Sequence, residues 1–453
     1  MDRQPDCAVE VSSHGQRGQG DIPDVDPYLP GHGDLAYEVE SYQIELDYRV
    51  SSNRLDAQVV IVAVANQAMA LVRLDLQGLD VSKVRVNGSC PARYSLRGGK
   101  LRIRLAAAAA AGDRLEIVIR YGGQPGPVPS IWGELGWEEL SDGVIVAGQP
   151  GGAPSWFPCN DRPSSKATYR LSVTTESAYA VLANGLQVGS PRRGASRTTW
   201  TYQQSQPMAT YLATVQIGRY ERRTLAGSPV PVRLFAPPQL QSTAAADFAR
   251  QSAMLRVFAD LFGPYPFDEY TVIVTPDDLE MPLEAQGLAI FGANHIDGML
   301  GLERLVAHEL AHQWFGNSLT LSRWSDIWLH EGFACYAEWL WSERSGGKPA
   351  DVLARRHHRR LAGAPQDLLL ADPGPAAMFD DRVYKRGALA LHALRLTLGD
   401  DTFFAMIRDW ASENRCGTVS TKIFEDHAAR YGRTRALLQR WLHKTPLPAL
   451  PRA

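Results

Sequence analysis

Two histidines four residues apart enclose a glutamate in His308-Glu309-Leu310-Ala311-His312, and after eighteen residues Glu331 follows in Trp328-Leu329-His330-Glu331-Gly332-Phe333-Ala334. On a helix, positions i and i+4 project from one face, so His308 and His312 can close on a single cation. With Glu331 as a third ligand the set suits zinc, one ion per chain. Such a site keeps a fourth position for water and lowers that water's pKa from ~15.7 toward ~7. Glu309 then stands beside the metal as the general base. Taken alone, the five-residue pattern equally fits a helix whose histidines pack or face solvent. Glu331 alone equally fits a surface carboxylate at a helix start, where the dipole favours it.

The elements around these residues narrow the choice. Leu302, Leu305, Val306, Leu310 and Phe315 recur at helical spacing, so the histidines ride on a helix with an apolar stripe, ended by Gly316 and Asn317. Ser325 and Asp326 are good caps for a second helix from Ile327 to Trp341, stopped by Gly346-Gly347. Its residues Trp328, Leu329, Phe333 and Ala334 are too apolar for an exposed turn. Glu338 lies two turns beyond Glu331 on the same face, where it either holds a ligand histidine in its tautomer or is solvated.

The stretch His308-Glu309-Leu310-Ala311-His312-Gln313-Trp314-Phe315-Gly316-Asn317, with Trp328 to Ala334, resembles the zinc signature of the aminopeptidase N family, the M1 peptidases. These are gluzincins with a thermolysin-like catalytic domain. The family usually has Asn where this chain has His330. Trp156-Phe157-Pro158-Cys159-Asn160-Asp161-Arg162-Pro163-Ser164-Ser165-Lys166-Ala167-Thr168-Tyr169 is similar to the family's N-terminal domain.

The resemblance implies further roles. Glu284, in Met281-Pro282-Leu283-Glu284-Ala285, falls where the family's Gly-x-Met-Glu-Asn motif has the glutamate that holds the substrate's ammonium; Met281 replaces the Gly and Ala285 the Asn. Glu280 is a rival anchor. Gln149 stands where the family has a Gln or Glu that meets the amino terminus; from the residues alone it is a loop glutamine. Val383-Tyr384-Lys385-Arg386-Gly387 is similar to the family's Tyr-x-Lys-Gly segment, with Arg386 for Lys, which makes Tyr384 the donor to the developing oxyanion. Larger members add a helical C-terminal domain, so the short form is expected to have a more open site.

With 453 residues, 45% hydrophobic and 21% charged, the chain can bury a sizeable core and divide into domains. A net charge of -2 and a pI near 6.6 give no reason to expect nucleic acid or an anionic membrane as partner. The run Arg355 to Arg360, with His357 and His358, reads as a solvated helix face. No stretch approaches the ~20 apolar residues of a membrane span, and Met1 to Asp6 lead into polar sequence without the apolar centre of a signal peptide. A cytoplasmic location is the expectation. Cys7, Cys90, Cys159, Cys335 and Cys416, odd in number and scattered, are expected as free thiols.

Residues 1–33 read as a disordered lead-in rich in Gly, Pro, Ser and Asp. Residues 34–221 read as an all-β saddle or sandwich, with strand-like alternation from Val39 and turn signals at Asn87-Gly88, Gly98-Gly99 and Gly122-Gly123. Residues 222–453 read as the thermolysin-like zinc catalytic domain: a helix near Ala244 to Leu261, a strand at Tyr270 to Val274, then mostly helices from Leu302. The expected fold class is α+β. The expected activity is hydrolysis of the N-terminal peptide bond of peptides with a free amino terminus. An endopeptidase or epoxide-type hydrolase on the same metal, or an inactive peptide-binding scaffold, are the alternatives.

Overall fold

Burial alternates along Tyr37–Arg49 and Arg54–Ala65, so each strand has an apolar and a polar face and the two pair antiparallel in register. The computed structural model describes residues 25–225 and 227–452. Contacts divide the chain between Arg219 and Tyr220 into two units.

In the first unit, Tyr37–Arg49 lies between Arg54–Ala65 and Lys166–Glu176 within an eight-stranded sheet, parallel to the latter. Sheets of five and three strands complete this unit. Its core is aromatic: Tyr42 stacks on Tyr169 with centroids 5.0 Å apart, and Trp156 and Phe157 pack at 4.4 Å. Three expectations are corrected here. Of the lead-in 1–33, residues 1–24 lie outside the described residues, whereas 25–33 are folded: Tyr28 and Leu29 are buried, and His32 Nδ1 lies 2.8 Å from Asp161 Oδ2. Local composition did not register these long-range ties. Gly122-Gly123 is not a turn but the end of the strand Arg114–Gly123, where a Cβ on Gly122 would lie 2.5 Å from the Leu55 carbonyl. Cys159, Cys335 and Cys416 are free thiols, but Cys90 is disulfide-bonded, because spacing along a chain does not determine which sulfurs meet in space.

The second unit opens with a mixed five-stranded sheet in the order Glu221–Leu225, Val232–Ala236, Tyr270–Val274, Leu288–Phe291, Leu283–Ala285. Tyr270–Val274 is buried along its whole length, as an apolar run flanked by two parallel neighbours should be. Leu283–Ala285 is the edge strand, antiparallel to Leu288–Phe291. The helix expected over Ala244 to Leu261 is two helices, α1 (Gln241–Asp247) and α2 (Gln251–Phe262). At the break, the Asp247 carboxylate accepts from the backbone N–H groups of Asp297, Gly298 and Leu300, each at 2.8 Å.

Seven more helices follow: α3 (Glu303–Ala311), α4 (Trp328–Arg344), α5 (Ala350–Ala362), α6 (Asp381–Leu398), α7 (Asp400–Glu413), α8 (Thr421–Ala428) and α9 (Arg435–Leu442). Asp326, expected to cap α4, instead accepts from Thr421 N and Oγ1. Fourteen consecutive residues of α4, Trp328 to Trp341, are buried, so it is the central helix of the unit. The class is α+β, a β-rich N-terminal unit followed by a mixed, helix-rich one. Among the described residues, no helix is long and apolar enough to cross a membrane.

Candidate metal centre

The helix α3 ends at Ala311, and His312 is its C-cap, still in right-handed helical backbone, so the i, i+4 geometry of His308 and His312 holds across the helix end. Their rings lie 4.8 Å apart, nearly perpendicular. Glu331, in the first turn of α4, brings Oε2 to 3.3 Å from His308 Nε2 and 3.6 Å from His312 Nε2. All three residues are buried, and one donor atom from each lies within 4.8 Å of the others.

The remaining ring nitrogens are spoken for. His308 Nδ1 meets Glu338 Oε1 at 2.8 Å, and His312 Nδ1 donates to the Phe315 carbonyl at 3.0 Å. Those partners orient each imidazole so that Nε2 presents a lone pair inward. Glu338 is itself flanked by Arg304, at 3.5 Å from Oε2, and by Lys385, whose Nζ is 3.2 Å from Cys335 Sγ. His330, the departure beside the ligand, accepts from Leu321 N at 2.9 Å and so ties α4 to the short strand Thr320–Leu321.

The charges of the site act on one another. Burial opposes charge on His308, yet the hydrogen bonds to Glu331 and Glu338 outweigh it and lift the imidazole to about 10. His312 rises to about 9 against the same burial, through Glu284 and Glu331. Burial alone would raise Glu331, but the two imidazoles hold it well below the usual carboxylate range. The carboxylates around the two imidazoles therefore favour positive charge at the centre of the donor set. Glu309 is pushed up to about 7 by its burial, and its Oε2 has no hydrogen-bond partner.

Glu284 enters the same space from the edge strand. Its carboxylate, with Glu309 and His312, forms a second group whose atoms lie within 4.8 Å of one another, and its Oε1 is buried without a partner. Burial raises its pKa. The edge strand is fastened to the metal segment by two side chains that the sequence reading passed over. Gln313 Oε1 accepts from Gly287 N at 2.8 Å, its Nε2 donates to the carbonyls of Ala285 and Leu288 at 3.1 and 3.3 Å, and Asn317 Nδ2 donates to Ala285 O at 2.9 Å. Both lie within the quoted motif, yet their partners are backbone groups 25 to 32 residues earlier. The ammonium-motif departure at Ala285 thus leaves a backbone carbonyl that is held, while Met281, 56% exposed, points to solvent. Glu280 is not in either donor group.

Tyr384 is in the first turn of α6, whose start Asp380 caps by accepting from Arg382 N. Its ring lies face to face with that of His308, centroids 6.0 Å apart and planes within 20°. Burial, then Glu331, Glu284 and Glu309, push its hydroxyl well above the usual phenol range, so it is a donor at neutral pH. Gln149 belongs to the first unit; it is half-buried, and its Nε2 has no hydrogen-bond partner.

Comparison with known proteins agrees in both halves of the chain. Residues 38–212 match the peptidase M1 N-terminal domain, and residues 247–441 match the peptidase family M1 domain. Glutamyl aminopeptidase of Bos taurus is 27% identical over 300 residues, 61% of this chain and 31% of that protein. Aminopeptidase M1-B of Oryza sativa subsp. japonica is 31% identical over 275 residues, 54% of this chain and 30% of that protein. The chain therefore spans about three tenths of the length of these relatives. The structure of a mutant M1 zinc metallopeptidase of Deinococcus radiodurans bound to a Tyr-Ser-Ala substrate superposes with a TM-score of 0.87 at 30% identity, over 95% of this chain and 100% of that one. A two-domain M1 zinc metallopeptidase bound to L-tryptophan superposes equally well, at 0.87 and 30% identity, with the same coverage.

Proposed function

The chain belongs to peptidase family M1, and from that premise we propose that it is a zinc aminopeptidase that releases the N-terminal residue of peptides. The observation that carries the reading is the convergence of His308 Nε2, His312 Nε2 and Glu331 Oε2, with both Nδ1 atoms engaged elsewhere. Two neutral imidazoles and a carboxylate are the donors of a catalytic zinc site, and three protein ligands keep a position open. When bound, zinc supplies Lewis acidity, lowering the pKa of water toward ~7 and drawing charge from the scissile carbonyl.

The chain's own residues do the rest. Glu309, its Oε2 buried and unpartnered, takes the proton of the attacking water and hands it to the departing amine. Tyr384 donates its hydroxyl hydrogen to the oxyanion as the carbonyl becomes tetrahedral. Glu284 receives the substrate's ammonium group, which supplies the partner its buried Oε1 lacks. For Gln149, a role toward the substrate's amino terminus rests on the family resemblance alone. Glu338 holds His308 in its orientation.

The grip of Gln313 and Asn317 on the edge strand supports amine recognition despite Met281 and Ala285. The proposed substrate is thus a peptide with a free amino terminus, with no role for nucleic acid or membrane. The cytoplasmic location is supported by the three free thiols and opposed by the disulfide at Cys90; a thiol count on protein taken from cells decides it.

One experiment tests both the chemistry and the selectivity. Glu309→Gln is expected to keep one zinc per chain and to lower kcat on an aminoacyl chromogenic amide by about 10²–10⁴-fold. Substantial residual turnover removes Glu309 as the base. The unmodified enzyme is expected to lose activity on the same amide once its amine is acetylated; cleavage of the blocked substrate indicates an endopeptidase instead.

A further inference from the structure

We propose that Gly332 and Gly387 are positioning residues, whose backbone contact sets the placement of Tyr384 against the metal ligands. The inference rests on the reading of Tyr384 as the oxyanion donor. A Cβ built on Gly387 would lie 2.7 Å from Gly332 Cα, 3.4 Å from Gly332 N and 3.6 Å from Trp328 O. One built on Gly332 would lie 2.8 Å from Gly387 Cα and 3.0 Å from Gly387 C. The contact is reciprocal and is made by main chain on both sides, so no side chain can swing away to relieve it.

Conformation does not explain these glycines. Both sit inside helices, and neither has the positive φ that would call for glycine. Glycine weakens a helix interior. What remains is space: α4 and α6 touch at this point, and only a residue without Cβ lets them.

The contact lies between the two groups whose spacing matters. Gly332 directly follows Glu331 on α4. Gly387 is three residues after Tyr384, on the same face of α6. An added methyl on either glycine forces α6 off α4, because a close-packed interior does not absorb it. Tyr384 leaves with its helix, and its stack on His308 opens. The metal ligands, all on α3 and α4, keep their mutual geometry.

The test is a double-mutant cycle of Gly387→Ala with Tyr384→Phe, read in kcat, KM and zinc content. Gly387→Ala alone is expected to retain zinc, to change KM little, and to lower kcat by about 10²-fold, the scale of a misplacement near 1 Å. In the Tyr384→Phe background the same substitution is expected to cost less than about threefold, because the group it displaces is already gone. A full hundredfold loss in that background overturns the inference and makes the contact generally structural. So does a Gly387→Ala enzyme with unchanged kcat. Where Gly387→Ala does not fold, Gly332→Ala probes the contact from α4 in the same cycle and is judged by the same outcomes. Unchanged kcat in Tyr384→Phe alone overturns the donor reading instead, so the two failures are distinguishable.

Discussion

Glu338 shows how much of the centre is set one bond away from the metal. It stands two turns after Glu331 on α4, reaches His308 Nδ1 at 2.8 Å and is 7% exposed. Burial works against its charge, but the bond to His308 and the nearby Lys385 hold its pKa below the usual range. Glu338→Gln keeps the shape and removes the charge, and is expected to weaken zinc binding by about 10–100-fold. Competition against a chelator of known affinity measures this, and equal affinity means that a neutral acceptor holds His308 as well as the carboxylate does. That His308 and His312 face one way was legible in the sequence because helical spacing is a local property, whereas the approach of Glu331 from another helix is a matter of the fold. Gln313 and Asn317 were not legible, because each acts on carbonyls brought near only by folding.

At the level of elements, the edge strand Leu283–Ala285 presents Glu284, and Gln313 fastens that strand through three hydrogen bonds. Gln313→Ala removes the acceptor of Gly287 N and a donor to the carbonyls of Ala285 and Leu288, of which Ala285 O keeps Asn317, a loss of about 1–3 kcal/mol in stability. It also frees the strand, so KM for aminoacyl amides is expected to rise several-fold while zinc content stays whole. A variant with unchanged KM shows that the pairing with Leu288–Phe291 suffices to place Glu284. Helix and strand types were readable from periodicity: Tyr270–Val274 is a strand with the expected ends. Boundaries failed where a side chain had distant business. The helix expected through Asp247 is broken there, where its carboxylate binds three N–H groups of the 297–300 loop.

For the molecule as a whole, Arg386 is the long-range tie in the second unit. Buried in α6, it donates to the carbonyls of Leu368, Trp441, Lys444 and Thr445, and burial draws its pKa down to about 10. In the sequence it was a departure from the family's Lys; in the structure its planar fork serves four carbonyls at once, one more than the three N–H groups of an ammonium can. Arg386→Met is expected to destabilise the protein by about 2–4 kcal/mol, given the penalty for each carbonyl left without a donor. Urea unfolding reads this as a lower midpoint, and an unchanged midpoint means that water replaces the guanidinium. The order of the two units was legible from composition and pattern, since a strand-rich stretch precedes a helix-rich one. The folding of 25–33 was not, because it depends on Asp161 more than a hundred residues later.

The metal ligands sit on α3 and α4, with His308 and Glu331 only 23 residues apart. Closing so short a loop costs little chain entropy, and each doubling of its length would add only ~0.6 kcal/mol. The three candidate donors therefore come from one contiguous stretch of chain, whereas Glu284 precedes it and Tyr384 follows it. The candidate ligands are thus encoded within a single short segment, while the residues proposed to act on the substrate depend on the fold of the whole unit.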